Sequence, residues 1–378
     1  MNTLNLLKKL ISIPSYVDSV NNEVQIAKFI FRYLKKNTKL VVEKSPVEGN
    51  RFNVIAYSKS CKKKDFLQVD ILFIDHIDTV QPKQGCLTEK YVATRIKNKL
   101  YGLGTADTKS NVAVLMKLAE RIKDQKIMFL FYVDEEYEFK GMYSFIGKYK
   151  KILKSEKIIS TDGENLKIRN CCRGLIEIDI ECLGKSGHSA NQTNGNNVLI
   201  GFNKTIGKLE ELLKKNPDKD LGSSTLNISY LRSGLFIKRN KDVTLGKNGN
   251  NIPDFLEATL EIRTNRKINL QLVINSLNNW FLEQKIKFMV KKITHNLNPW
   301  YSYRSKLKYI TDKVTESIGR ADFTDPSRSG YVDLALLVSQ FKSTSCCIGT
   351  IGGNRHGANE WVQIDSINSL EQILEKLL

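Results

Sequence analysis

The apolar pattern of this chain changes period at Arg173, and that change constrains the fold more than any other feature. Before it, RFNVIAYS, VDILFID, KIMFLFYV and EKIIS are short, nearly unbroken apolar runs of strand length. Helical patterns separate the last three: NVAVLMKLAERIK, with Val112, Leu115, Met116, Leu118 and Ala119 on one side, and GMYSFIGKYKK. Strands apolar on both faces, alternating with helices, specify an α/β layer with a largely parallel sheet. From Arg173 onward the strands alternate strictly. GLIEIDIECLG sets Ile176, Ile178, Ile180 and Cys182 on one face and Glu177, Asp179 and Glu181 on the other, and FLEATLEIRT repeats the pattern. Two amphipathic helices, VLIGFNKTIGKLEELLKK and NLQLVINSLNNWFLEQK, sit among these strands. Strand, helix, strand, strand, helix, strand is the order of a ferredoxin-like unit. The expected fold is therefore α/β, with a mostly parallel sheet flanked by helices over 1–172 and 294–378. An inserted α+β ferredoxin-like domain is expected at 173–293.

A length of 378 residues suits two domains. No stretch approaches the roughly 20 apolar residues that cross a bilayer. The N-terminal MNTLNLLKKLISIPS lacks the unbroken apolar core and small-residue cleavage site of a signal peptide. Leu4, Leu7 and Leu10 recur there at helical spacing and predict a surface helix ending before Pro14. The seven cysteines include two adjacent pairs, Cys171–Cys172 and Cys346–Cys347, and no CxxC spacing. That argues against a disulfide framework or a structural zinc site and fits buried thiols in a reducing cytoplasm. A formal charge of +19 raises nucleic acid or an acidic protein as partners. The lysines, however, are scattered through a Lys-, Asn- and Ile-rich chain, and no basic block is interleaved with aromatics. Nucleic-acid binding is the weaker expectation.

In open parallel sheets, ligands bind beyond the carboxyl ends of the strands. VDILFID leads into His76 and Asp78, and Asp107 precedes NVAVLMK. KIMFLFYV leads into Asp134, Glu135 and Glu136; EKIIS into Asp162 and Glu164; STSCCIGTIGG into His356. Each has a plain reading by itself: Asp107 as a helix cap, Glu135 and Glu136 as a solvated loop, Asp162 as a turn residue. Together, five segments deliver a histidine or carboxylate to one sheet edge, and strand or helix propensity does not ask for that. Two histidines and three carboxylates suit two Zn²⁺ ions sharing one carboxylate, with Co²⁺ or Mn²⁺ as substitutes. One of Glu135 and Glu136 then binds metal while its neighbour stays free to move a proton. Asp78, two residues beyond His76, is placed to orient its imidazole.

The segments HIDTVQP, GLGTADTKS, DEEYEFKG, TDGE, GKSGHSA and NRHGANE resemble, in order, the signatures of the dizinc aminoacylase and carboxypeptidase family. That family includes acetylornithine deacetylase, succinyl-diaminopimelate desuccinylase, tripeptide aminopeptidase, glutamate carboxypeptidase and the hydrolases that release lysine or ornithine from an amino-group carrier protein. The resemblance implies a catalytic domain with an inserted lid and dimerisation domain. It also implies hydrolysis of an N-acyl amino acid or short peptide. By motif, His76 and Asp162 would bind one zinc, Glu136 and His356 the other, and Asp107 would bridge them. Glu135 would be the general acid/base and Asp78 the partner of His76. His188 resembles the lid histidine that stabilises the carbonyl oxyanion, often from a neighbouring subunit, which implies a homodimer. Arg263 and Asn251 resemble the residues that hold the substrate carboxylate, and Ser329 with Gly330, in SRSGYVD, the substrate loop. The chain departs from the pattern at the extra Gln81, at Asp162–Gly163 where many relatives have Glu-Pro, and at Asn354–Arg355, which bring an unusual cation near the site. Glu164 remains an alternative ligand. The basic surface suits an acidic carrier protein, although compositional bias explains it equally.

Overall fold

The computed structural model describes residues 1–378 except 86, 240, 241 and 327–329, and the side chain of Gln192. The chain divides into two compact units. One comprises Met1–Asn170, Tyr301–Thr324 and Val332–Leu378; the other comprises Cys171–Trp300 and Asp325–Tyr331.

The first unit is built on a six-stranded sheet. In chain order its strands are β1 (Val41–Glu48), β2 (Arg51–Tyr57), β3 (Leu67–His76), β4 (Ile127–Tyr132), β5 (Leu153–Ser160) and β6 (Thr344–Cys347). Their spatial order is β1-β2-β4-β3-β5-β6. β3, β4, β5 and β6 run parallel. The β1–β2 hairpin joins antiparallel along β4. All residues of β2 and β4 are buried, as their unbroken apolar runs require of strands covered on both faces. Alternate residues serve the two sides. Phe73, Phe129 and Phe131 share a core with the helices Thr3–Ile11, Val24–Asn37, Ser110–Ala119 and Ile364–Lys376. Leu72, Ile74, Met128 and Leu130 are fully buried on the other side. The register sets Phe73 opposite Phe129, and the two rings stack with centroids 5.6 Å apart.

The N-terminal helix is not the surface element its lysines suggest. Leu6, Leu7, Leu10 and Ile11 have no solvent exposure. The helix packs on Ser110–Ala119 and Ile364–Lys376, where the Thr3 hydroxyl donates to Glu371 Oε2 at 2.6 Å. Lys8 and Lys9 lie on its exposed face and in its last turn, where they complement the helix dipole.

The second unit is a five-stranded antiparallel sheet. Its spatial order is Val243–Gly246, Thr225–Arg239, Phe255–Thr264, Gly174–Leu183 and Lys287–Leu297. The register pairs Ile178 with Leu260 and Ile180 with Ala258. These apolar alternates face the helices Val198–Lys215 and Leu270–Glu283, which contribute Phe202, Leu209, Leu277 and Phe281 to one core. The order is ferredoxin-like, with the short strand Val243–Gly246 added at one edge. Among the described residues, no helix is long and apolar enough to cross a membrane.

Candidate dinuclear metal centre

The parallel strands of the first unit end at one edge, and the turns beyond them are tied together by buried polar side chains. Asn111, at the head of helix Ser110–Ala119, donates to the Thr161 carbonyl at 2.7 Å and accepts from Thr350 N–H at 3.1 Å. This links the exits of β5 and β6. Thr108 Oγ1 donates to the His76 carbonyl at 3.1 Å, which links them to the exit of β3. Arg51 reaches from β2 to clamp the exit of β4. Its Nε donates to Glu23 Oε2 at 2.8 Å, and its Nη2 pairs with Asp134, whose other oxygen accepts from Lys140 N–H at 3.1 Å. Glu135 and Glu136 are held between these anchors.

Asp107 lies in the irregular turn Thr105–Lys109 and does not cap the following helix, whose cap position is Lys109. Its backbone is fixed by Glu360. That carboxylate accepts from Gly104 N–H at 2.6 Å, Ala106 N–H at 2.7 Å and Asp107 N–H at 2.8 Å. Gly104 is left-handed at φ +77°, and a Cβ there would stand 2.7 Å from Thr79 Cγ2, so the turn requires glycine. Gly163, after Asp162, lies against the backbone beyond β6, where a Cβ would come within 2.6 Å of Gly349 N. A proline or any side chain there would displace that turn.

The functional groups converge on Asp107. Its Oδ1 lies 3.1 Å from His76 Nε2, and its Oδ2 lies 3.1 Å from His356 Nε2. The same His356 nitrogen is 3.1 Å from Glu136 Oε2. On its other side, His76 Nδ1 lies 3.4 Å from Asp78 Oδ1, while Asp78 Oδ2 accepts from Glu136 N–H at 2.9 Å. Asp162 joins the cluster through Arg355, whose Nη1 is 3.1 Å from Asp162 Oδ1 and 4.0 Å from Asp107 Oδ1. His76 and Asp78 are deeply buried, whereas the His356 side chain is 56% exposed, so the cluster opens to solvent on that side. His356 sits in a loop where Asn354, His356 and Asn359 all have left-handed φ of 58–60°.

The electrostatics follow from burial and from this crowding of charge. Hydrogen bonds to Asp107 and Glu136 push His356 up to about 10. Burial opposes a charge on His76, yet Asp107 and Asp78 raise it well above its ordinary value. Burial likewise opposes the charge on Asp107, but Arg355, His356 and His76 hold its carboxyl well below the carboxylate range. Burial and then the neighbouring Asp333 push Glu135 well up, and burial raises Glu136.

This donor set fits metal. Imidazole nitrogens and carboxylate oxygens face one another at the spacing of ligands around one ion, and His76, Asp107 and Glu136 each offer a ligand atom within 4.8 Å of the others. Glu136 Oε1 is buried with no hydrogen-bond partner among the described residues, an acceptor left for a cation.

The remaining sequence candidates lie in the second unit or outside the described residues. His188 and Asn251 face each other across an isolated antiparallel bridge, and His188 Nδ1 accepts from Ala190 N–H at 3.2 Å. Arg263 pairs with Glu261 at 2.9 Å, on the strand next to Thr225. Gly330 belongs to this unit's Asp325–Tyr331 segment, and Ser329 lies outside the described residues. Glu164 is exposed on the turn after Asp162.

Asp333 and Glu360 are among the buried acids that were not singled out from sequence. Asp333 stands at the cap position of helix Leu334–Phe341 but makes no side-chain cap hydrogen bond. Neither of its oxygens meets a hydrogen-bond donor among the described residues, and burial raises it well above its ordinary value beside Glu135. Two carboxyls so placed can pair only by sharing a proton. Glu360, in the NRHGANE segment, is pushed up to about 7 by burial. Its signal was a carboxylate at the end of a motif, next to a strand.

The profile of Peptidase family M20/M25/M40 matches residues 72–378. An acetylornithine deacetylase of Buchnera aphidicola subsp. Schizaphis graminum is 24% identical over 395 aligned residues, covering 99% of this chain and 97% of that protein. The crystal structure of aminopeptidase PepT from Bacillus cereus shares the fold with a TM-score of 0.76 at 16% identity, over 99% of this chain and 96% of that one. The Bacillus subtilis YXEP protein, a dinuclear metal-binding peptidase, gives 0.68 at 15% identity, over 99% and 96%. The chain belongs to Peptidase family M20/M25/M40 and is a metal-dependent amidohydrolase.

Proposed function

We propose that the chain hydrolyses the amide bond of an N-acyl amino acid or short peptide at a centre of two zinc ions, with a deacylase of amino-acid metabolism favoured over an exopeptidase. The observation that carries this reading is the placement of His76 and His356 on opposite oxygens of Asp107, each at 3.1 Å. In this reading His76 and Asp162 hold one ion, Glu136 and His356 the other, and Asp107 is shared. The bound ions would polarise the scissile carbonyl and make water nucleophilic near neutral pH.

The remaining chemistry belongs to the chain's own residues. Glu135, next to Asp333, takes a proton from the attacking water on a carboxylate oxygen and delivers it to the leaving amine nitrogen. Asp78 holds His76 in one orientation from behind. His188 stabilises the developing oxyanion, and Arg263, Asn251 and the Ser329–Gly330 loop receive the substrate carboxylate. Assembly as a homodimer, action in the cytoplasm and use of an acidic amino-group carrier protein as substrate complete the reading. The near full-length match to an acetylornithine deacetylase supports the deacylase preference.

A panel of N-acetyl amino acids, assayed beside di- and tripeptides before and after chelation and zinc restoration, tests it. Chelator-sensitive release of acetate is the expected result. Turnover of peptides alone would move the assignment to an exopeptidase, and chelator-resistant activity would overturn the metal reading.

A further inference from the structure

The charges around Asp107 are lopsided. On the side of Asp162 stands a permanent cation, Arg355, whose guanidinium is held at two points. Nη1 lies 3.1 Å from Asp162 Oδ1, and Nη2 donates to the Gly163 carbonyl. The same Nη1 is 4.0 Å from Asp107 Oδ1. On the side of Glu136, no lysine or arginine among the described residues comes within ion-pair reach of that carboxylate; its partner is His356 at 3.1 Å. The guanidinium keeps its positive charge at any working pH.

We infer that Arg355 makes the two metal positions unequal, weakening the one formed by His76 and Asp162 relative to the one formed by His356 and Glu136. Three carboxylates and one guanidinium carry a net charge of about −2, which a single dication neutralises. A second dication must take Asp162 Oδ1 from Arg355, or lie beside it and be repelled by it at short range. The glycine at position 163 sustains this competition. Its carbonyl holds the second arm of the guanidinium, and the backbone packed against its Cα leaves no room to move the turn aside. The inference rests on the metal centre proposed above and adds an order of filling to it: Glu136 and His356 first, Asp162 and His76 second.

The test is metal binding by the full chain, without reference to turnover. Zinc uptake is followed by equilibrium dialysis with elemental analysis, and Co²⁺ uptake by its visible absorption. Wild type, Arg355→Gln, Arg355→Lys, His356→Ala and His76→Ala are compared. Wild type is expected to fill in two steps separated by about tenfold or more in affinity. Arg355→Gln should tighten the second step by about tenfold or more and leave the first in place, while Arg355→Lys, which keeps the charge, should stay near wild type. His356→Ala should remove the tight step, and His76→Ala should spare it. Two steps of equal affinity in wild type would overturn the inference whether or not Arg355→Gln folds. So would a second step that Arg355→Gln leaves unchanged or weakens. In both cases the metal centre itself would stand. Absence of metal from all five proteins would overturn the centre and this inference together.

Discussion

His356 Nε2 lies 3.1 Å from Asp107 Oδ2, although the two residues belong to the first and last segments of the first unit's sequence. Glu360, four residues beyond His356, takes the N–H groups of Gly104, Ala106 and Asp107 with its carboxylate. One loop therefore supplies both His356, a proposed metal ligand, and the brace for the Asp107 backbone.

Glu135→Gln separates proton transfer from metal binding. The side chain lies beside Glu136 and Asp162, so the amide keeps its size and loses its base. Turnover should fall by about 10²–10⁴-fold with zinc content unchanged. Steady-state kinetics and elemental analysis on the same preparation check both parts, and a parallel loss of zinc would make Glu135 a ligand instead.

Glu360→Ala should be costly to the fold. It strips three buried N–H groups of their acceptor and leaves the buried Lys109, already pushed down to about 7, without its nearby counter-charge. Losses of about 3–5 kcal/mol are expected for such a change. Urea denaturation with zinc present and with chelator present measures it. A loss below about 1 kcal/mol would mean that water or a neighbouring carbonyl replaces the brace.

The site was more legible in the sequence than its supports were. His76, Asp107, Glu136, Asp162 and His356 could be picked out because each follows or precedes an apolar run, and a parallel sheet sends all such runs to one edge. The strict alternation after Arg173 likewise foretold a sheet with one wet face. What stayed hidden depends on distant contacts. Asp333 reads as an ordinary helix cap until its carboxyl proves to face Glu135 instead of the helix N–H groups. The edge strand Val41–Glu48 carries two glutamates, a lysine and Pro46, and only pairing with β2 makes it a strand. The N-terminal helix reads as surface because its burial comes from helices far away in sequence.

Asp333→Asn tests the carboxyl pair. Burial first and then the neighbouring Asp333 raise Glu135, so removing the second acid removes the largest upward influence after burial. Glu135 must be ionised to accept a proton, so the acidic limb of the kcat/KM profile should move to lower pH. A limb that stays in place would show that Asp333 does not act on Glu135.

Zinc affinity should rise with pH. Asp107 and Glu136 push His356 up to about 10, so below that value a proton occupies the nitrogen a metal needs. Lowering the pH favours the proton, and uptake of metal must release it. Dialysis at about pH 6 and about pH 8 should show tighter binding at the higher value, and calorimetry in buffers of different ionisation enthalpy should show net proton release. Affinity independent of pH would mean that His356 is not a ligand.

The most direct measurement is zinc per chain in wild type and in Asp107→Ala, with deacylase activity toward N-acetyl amino acids read on the same samples. Among the described residues, Asp107 is the carboxylate that pairs with both His76 and His356. The account predicts that zinc and activity fall together when it is removed. Full zinc content in Asp107→Ala, or no zinc in wild type after loading, would contradict a centre built around that residue.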